Sequence, residues 1–138
     1  MRILGLDYGD KTVGVAITDE LCLTAQPLVT IKRERTNKLR KTYQELESII
    51  KEYCVEKIVL GKPLNMNGTE GERVERTAAF RNELARRTGL EIIDMDERLT
   101  TVEADEVLDD MGVPASERKE YIDKIAAAII LKDYLNNQ

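Results

Sequence analysis

Two apolar runs at the start of the chain set the strongest limit on its fold. Ile3 to Asp7 and Val13 to Thr18 are each strand-length, and the turn-forming Gly9-Asp10-Lys11 separates them. That arrangement predicts a β-hairpin. On the two-residue alternation of a strand, Ile3, Gly5 and Asp7 share one face while Leu4 and Leu6 share the other. Both faces are apolar, so the first strand is interior to a sheet and carries a carboxylate at its tip. Asp7 is either a turn aspartate that caps the hairpin backbone or a functional acid, and the strand alone leaves both open.

The rest of the chain alternates in period. Leu21 to Ile31 is a third strand-like run, and Pro27 within it suits a sheet edge or a bulge because proline has no ladder donor. From Asn37 to Tyr53 the apolar residues Leu39, Tyr43, Leu46, Ile49, Ile50 and Tyr53 fall three or four apart or adjacent, as on one helix face. A buried strand, Val55 to Leu60, leads to Gly61-Lys62-Pro63 and a polar loop. A charged helix follows from about Glu70 to Thr88, with Gly89 as its left-handed terminator. Leu90 to Met95 is a further strand. Thr101 is the expected N-cap of a short helix ending before Gly112, and Ser116 that of a last helix running to about Tyr134. The order predicts an α/β fold: three opening antiparallel strands, then alternating helices and strands, giving a mixed central sheet with helices packed on it. With 138 residues and neither repeat nor linker, a single domain over 1–138 is expected.

Composition removes several chemistries. No histidine is present, which excludes Ser-His-Asp and Cys-His triads and imidazole bases. Cys22 and Cys54 have no paired spacing, so neither structural zinc nor a disulfide framework is indicated. Catalysis, if any, falls to carboxylates, lysine, tyrosine or bound water. The net charge of −5 argues against a protein that coats nucleic acid non-specifically. No apolar run approaches bilayer length, and Arg2 and Asp7 interrupt the N-terminus too early for a signal peptide. No membrane association is expected, and the cytoplasm is the expected location.

Three acids stand apart from the surface pattern. Asp123 lies within the last helix with Ala126, Ala127 and Ile130 at i+3, i+4 and i+7, so it projects from the face that packs on the sheet. A carboxylate buried there must be paired, protonated or bound to a metal. The alternative is a salt bridge or a place at the rim. Asp96 and Glu97 follow the strand ending at Met95, and adjacent strand residues face opposite sides, so spacing does not choose between them. Carboxyl ends of parallel strands gather at one edge of a sheet. Carboxylates about 4 Å apart repel by roughly 4 kcal/mol at an effective dielectric near 20, and a divalent cation reverses that penalty. Oxygen donors favour Mg²⁺ or Mn²⁺ over zinc.

Four segments in order give the chain a specific resemblance. They are Gly5-Leu6-Asp7-Tyr8-Gly9 with Gly14-Val15-Ala16; Gly61 to Gly71; Asp96-Glu97-Arg98-Leu99-Thr100-Thr101; and Asp123-Lys124-Ile125-Ala126-Ala127. Together they closely resemble the YqgF family, also called the RuvX or pre-16S rRNA nuclease family. The resemblance implies a ribonuclease H-like fold, similarity to Holliday-junction resolvases, and a role in ribosome biogenesis through maturation of the 5′ end of 16S rRNA. It implies Asp7, Glu97 and Asp123 as catalytic metal ligands, selecting Glu97 over Asp96, with two Mg²⁺ or Mn²⁺ ions assisting phosphodiester hydrolysis. Lys62 stands where many members carry leucine. Lys11, Lys62 and Arg98 are candidate phosphate contacts, as are Arg33 and Arg35 in the densest basic stretch. Asn65 lies in the polar loop that could close over substrate. The implied partners are nucleic acid, as pre-rRNA or structured DNA, and the ribosome or its precursor. A four-way DNA junction resolvase, which acts as a homodimer, and a non-catalytic ribosome-assembly or transcription factor are the alternatives. The actin-like and sugar-kinase ATPases share a similar opening hairpin but pair two such domains.

Overall fold

The computed structural model describes residues 1–9, 11–33, 39–62, 72–96 and 100–137, with the backbone alone at 72, 73, 100–103, 105, 119 and 120. The elements are β1 (Arg2–Tyr8), β2 (Thr12–Thr18), β3 (Ala25–Lys32), α1 (Arg40–Tyr53), β4 (Val55–Lys62), α2 (Glu72–Thr88), β5 (Glu91–Asp96), α3 (Thr100–Asp110) and α4 (Arg118–Asn136). The strands form one sheet in the order β3-β2-β1-β4-β5. β1 and β3 run antiparallel to β2, while β1, β4 and β5 are parallel. This is the mixed sheet the strand pattern predicts. β3 is an edge strand, and its register with β2 shifts where Ala16 meets Pro27. The proline sits at a bulge because it has no N–H to give the ladder.

Alternation along β1 divides the core in two. Leu4, Leu6 and Tyr8 face Tyr43 and Leu46 of α1 and Phe80 and Leu84 of α2. Ile3 on the other face packs with Ala16 and Val59 under Ala127, Ile130, Leu131 and Tyr134 of α4. Outside α4, Ala104 and Leu108 of α3 cover Ile125 and Ala126. The first face also holds an aromatic column. Tyr8 and Phe80 stack at 4.3 Å between centroids and Phe80 and Tyr43 at 5.5 Å. The Arg33 guanidinium covers one end at 4.8 Å from Tyr8, and that of Arg87 the other at 4.7 Å from Tyr43. Burial in this column pushes the Tyr43 phenol up to about 12.

The helix ends give two corrections and two agreements. Gly89 and Gly112 take positive φ of 69° and 72°, terminating α2 and α3 as expected. α3 already begins at Thr100, so Thr101 lies inside its first turn and not ahead of it. Ser116 does not cap α4: the chain enters that helix through a 3₁₀ turn, Ala115–Glu117, and no side chain caps Arg118. The Arg118 amide instead donates to the Ala115 carbonyl, so the tighter turn serves a donor that a Ser116 cap would have taken. Among the described residues no helix is long and apolar enough to cross a membrane.

Candidate active site

The carboxyl ends of β1, β4 and β5 lie at one edge of the sheet. Across them Leu6 pairs with Leu60, Gly61 with Met95 and Lys62 with Asp96. Asp7 closes the β1 row on the face that α4 covers, and it is only 9% exposed. Its antiparallel partner on β2 is Gly14. A Cβ on Gly14 would stand 1.9 Å from the carbonyl oxygen of Asp123 and 2.2 Å from its carbonyl carbon. The backbone of α4 at Asp123 therefore rests directly on Gly14, one strand from Asp7. Directly opposed antiparallel residues lie about 5 Å apart at Cα. The half-buried Asp123 is thus delivered to the strand tip that carries Asp7.

The two faces of β5 separate Asp96 from this pair. Arg81 of α2 donates to the Asp94 carboxylate at 3.1 Å and to the Ile92 carbonyl at 2.8 Å, so Asp94 faces α2. Asp96, two residues on, shares that face, opposite Asp7. Met95 lies on the α4 side, packed with Val59 and Ile93. Glu97 itself lies outside the described residues, as do Arg98, Asn65 and Arg35. Among the described residues no group of three His, Cys, Asp or Glu side chains gathers as metal ligands. Among the described residues the backbone of Asp123 meets the β2 partner of Asp7, which brings these two positions to one strand tip.

The candidate cations divide. Lys11 is exposed in the hairpin turn beside the site. Lys62 is half-buried and lines a pocket of about 210 Å³ with Val74, Glu75, Thr77, Ala78, Arg81 and Asp94, on the α2 side of the sheet. It is therefore directed away from Asp7's face. Arg33 is engaged internally: its guanidinium donates to the Gly9 carbonyl at 2.5 Å and lies over Tyr8. Sequence reasoning missed Gly14 as the residue that admits α4. The available signal was a glycine inside a strand, which marks a close backbone approach.

The donor set is hard oxygen, held on a strand and a helix, which fits Mg²⁺ or Mn²⁺ and not a soft metal. The sequence profile of the RuvX family, described as Holliday junction resolvase, matches residues 1–137. The chain belongs to the RuvX family. A relative from Agathobacter rectalis, named "Putative pre-16S rRNA nuclease", is 57% identical over 136 residues, covering 99% of this chain and 95% of that protein. One of the same name from Lachnospira eligens is 54% identical over 138 residues, covering 100% and 99%. The fold is ribonuclease H-like. This RuvX-family chain superposes on Thermus thermophilus RuvC in complex with a Holliday junction substrate with a TM-score of 0.63 at 15% identity, covering 99% of this chain and 96% of RuvC. With the fowlpox virus Holliday junction resolvase the TM-score is 0.57 at 15% identity, covering 99% of each.

Proposed function

We propose that this RuvX-family chain, working as one domain over residues 1–138, is a divalent-metal-dependent nuclease of the cytoplasm that processes the 5′ end of pre-16S rRNA. The observation that carries the chemistry is the seating of Asp123 on Gly14, beside the buried Asp7. The substrate comes from the name its relatives carry.

Asp7, Asp123 and Glu97 would hold two Mg²⁺ or Mn²⁺ ions, Glu97 being the acid beside Asp96 once Asp96 faces α2. When bound, such ions supply charge neutralisation and Lewis-acid polarisation of the scissile phosphate. The chain's own contribution is order. Asp7 is fixed by an interior strand and Asp123 by a helix packed on that strand, so neither acid must be immobilised when substrate arrives. Apolar packing from Ala127 to Tyr134 keeps water from the floor beneath them. Lys11, exposed on the turn beside Asp7, would meet a backbone phosphate.

A four-way DNA junction is the second substrate reading, favoured by the family description and the likeness to junction-bound RuvC. It carries a homodimer with it. The test is cleavage of a 5′-extended 16S precursor RNA and of a four-way junction, with Mn²⁺ titrated, using wild type and Asp7→Asn. Cutting of the RNA should fall by at least about 10²-fold in the variant, beyond the 10–100-fold typical of losing a residue that only orients a metal ligand. Removing one negative charge should leave RNA binding intact or stronger. Selective cutting of the junction moves the assignment to resolvase. If folded wild type cuts neither, a non-catalytic role in ribosome assembly replaces the nuclease reading.

A further inference from the structure

Arg33 follows β3 directly and holds the β1–β2 turn at three points. Its backbone N–H donates to the Lys11 carbonyl at 2.9 Å. Its guanidinium donates to the Gly9 carbonyl at 2.5 Å. The same guanidinium lies 4.8 Å over the ring of Tyr8, whose far face stacks on Phe80. The turn adds its own closure, Gly9 N–H to the Thr12 carbonyl at 2.7 Å. One residue thus grips positions 8, 9 and 11, beginning next to Asp7. The geometry points to Arg33 as a positioning residue for phosphodiester hydrolysis, one that fixes the direction of Asp7 and the reach of Lys11 without touching substrate. This rests on the nuclease reading above.

The shape of the side chain is what the clamp uses. A guanidinium offers in-plane donors and a flat face together, so it can bond Gly9 while stacking on Tyr8. An ammonium is a point charge and cannot do both. A phosphate contact would need only the charge. Lysine substitution therefore separates positioning from the backbone-contact role that the basic stretch suggested.

The experiment compares wild type, Arg33→Lys, Arg33→Ala and Tyr8→Leu. It measures kcat and KM, the salt dependence of substrate binding, Mn²⁺ affinity by calorimetry and exchange of the Gly9 amide. Both Arg33 variants should lose about 10–100-fold in kcat, as a catalytic group misplaced by up to an ångström would. KM and salt slope should stay near wild type, Mn²⁺ affinity should fall, and Gly9 exchange should rise at least about tenfold. Tyr8→Leu, which keeps the guanidinium but removes its platform, should move the same readouts in the same direction. The inference is overturned if Arg33→Lys behaves as wild type while Arg33→Ala raises KM and lowers the salt slope by about one. Unchanged Gly9 exchange in Arg33→Ala overturns it equally. If wild type cuts no substrate the nuclease reading fails, and the exchange and Mn²⁺ measurements still decide the clamp.

Discussion

Adding a single methyl at Gly14 should cost this protein activity as well as stability. An alanine Cβ there would stand 1.9 Å from the Asp123 carbonyl oxygen, against backbone that cannot rotate away. An ordinary non-bonded approach is roughly 3.5 Å, so the first turns of α4 must recede by about 1.5 Å. Overpacking of this kind costs about 1–3 kcal/mol, and the upper end applies because the clash is with main chain. For a domain of this size that lowers Tm by about 3–5 °C per kcal/mol. The same displacement separates Asp123 from Asp7, and a misplacement of that order costs about 10²-fold in rate. Gly5→Ala is the internal control. Its Cβ would meet the Leu131 Cβ at 2.9 Å and the Ala127 carbonyl oxygen at 3.0 Å, farther along α4. The helix must give by only about half an ångström there, and Asp123 stays in place. The assay pairs thermal unfolding with single-turnover cleavage and Mn²⁺ affinity at a temperature where both variants are folded. Gly14→Ala cutting as fast as Gly5→Ala, or binding Mn²⁺ as tightly, refutes the claim that α4 seating on Gly14 sets the acid pair.

Two further outcomes test the scaffold. Cys54 ends α1 in the left-handed region, with φ 55° and ψ 49°. There glycine should be more stable than alanine by about 1 kcal/mol, since only glycine escapes the Cβ penalty; equal melting temperatures for Cys54→Gly and Cys54→Ala refute this. Tyr43 has its phenol pushed up to about 12 from an ordinary 10, so the folded state holds its proton more tightly than the unfolded chain. The associated stability, up to about 2 kcal/mol, is complete below pH 10 and is lost as pH rises from 10 to 12. Tyr43→Phe should flatten the stability profile across that window. Urea midpoints falling as steeply as in wild type count against burial as the cause.

The sequence made the sheet legible because each strand announces itself locally. Two apolar runs around a glycine turn give β1 and β2, Pro27 marks the edge, and Gly89 stops α2. Asp123 was legible through helical spacing, since residues four and seven on, Ala127 and Ile130, are core. Three things were not. Helix starts failed at Ser116 because a 3₁₀ turn satisfied donors that a cap would have served. Arg33 counted as one cation in a basic stretch, because nothing local shows that its partner lies 24 residues earlier at Gly9. The choice between Asp96 and Glu97 was open in the spacing; the face on which Arg81 meets Asp94 is the one that strand alternation gives Asp96, opposite Asp7, while Glu97 lies outside the described residues.

Gly14 shows why a site of this kind leaves a trace in the core. Glycine within a strand weakens it by roughly 0.5–1 kcal/mol relative to alanine, and β-branched residues fit a pleated surface better still. Yet the floor under α4 includes Gly5, Gly14 and Ala16 beside Ile3, while the opposite face of the same strands carries Leu4, Leu6, Val13 and Val15. Packing alone would be met by larger side chains and a more distant helix. A helix acid that must share a location with a strand acid cannot accept that distance, because the reach of an aspartate is one methylene and a carboxylate. The small residues therefore trade strand stability for helix proximity. Substitutions that widen the gap between α4 and the β1–β2 hairpin should act as active-site lesions although they touch no substrate, whereas equal losses of volume on the α1–α2 face should lower stability and leave the rate of the folded enzyme alone.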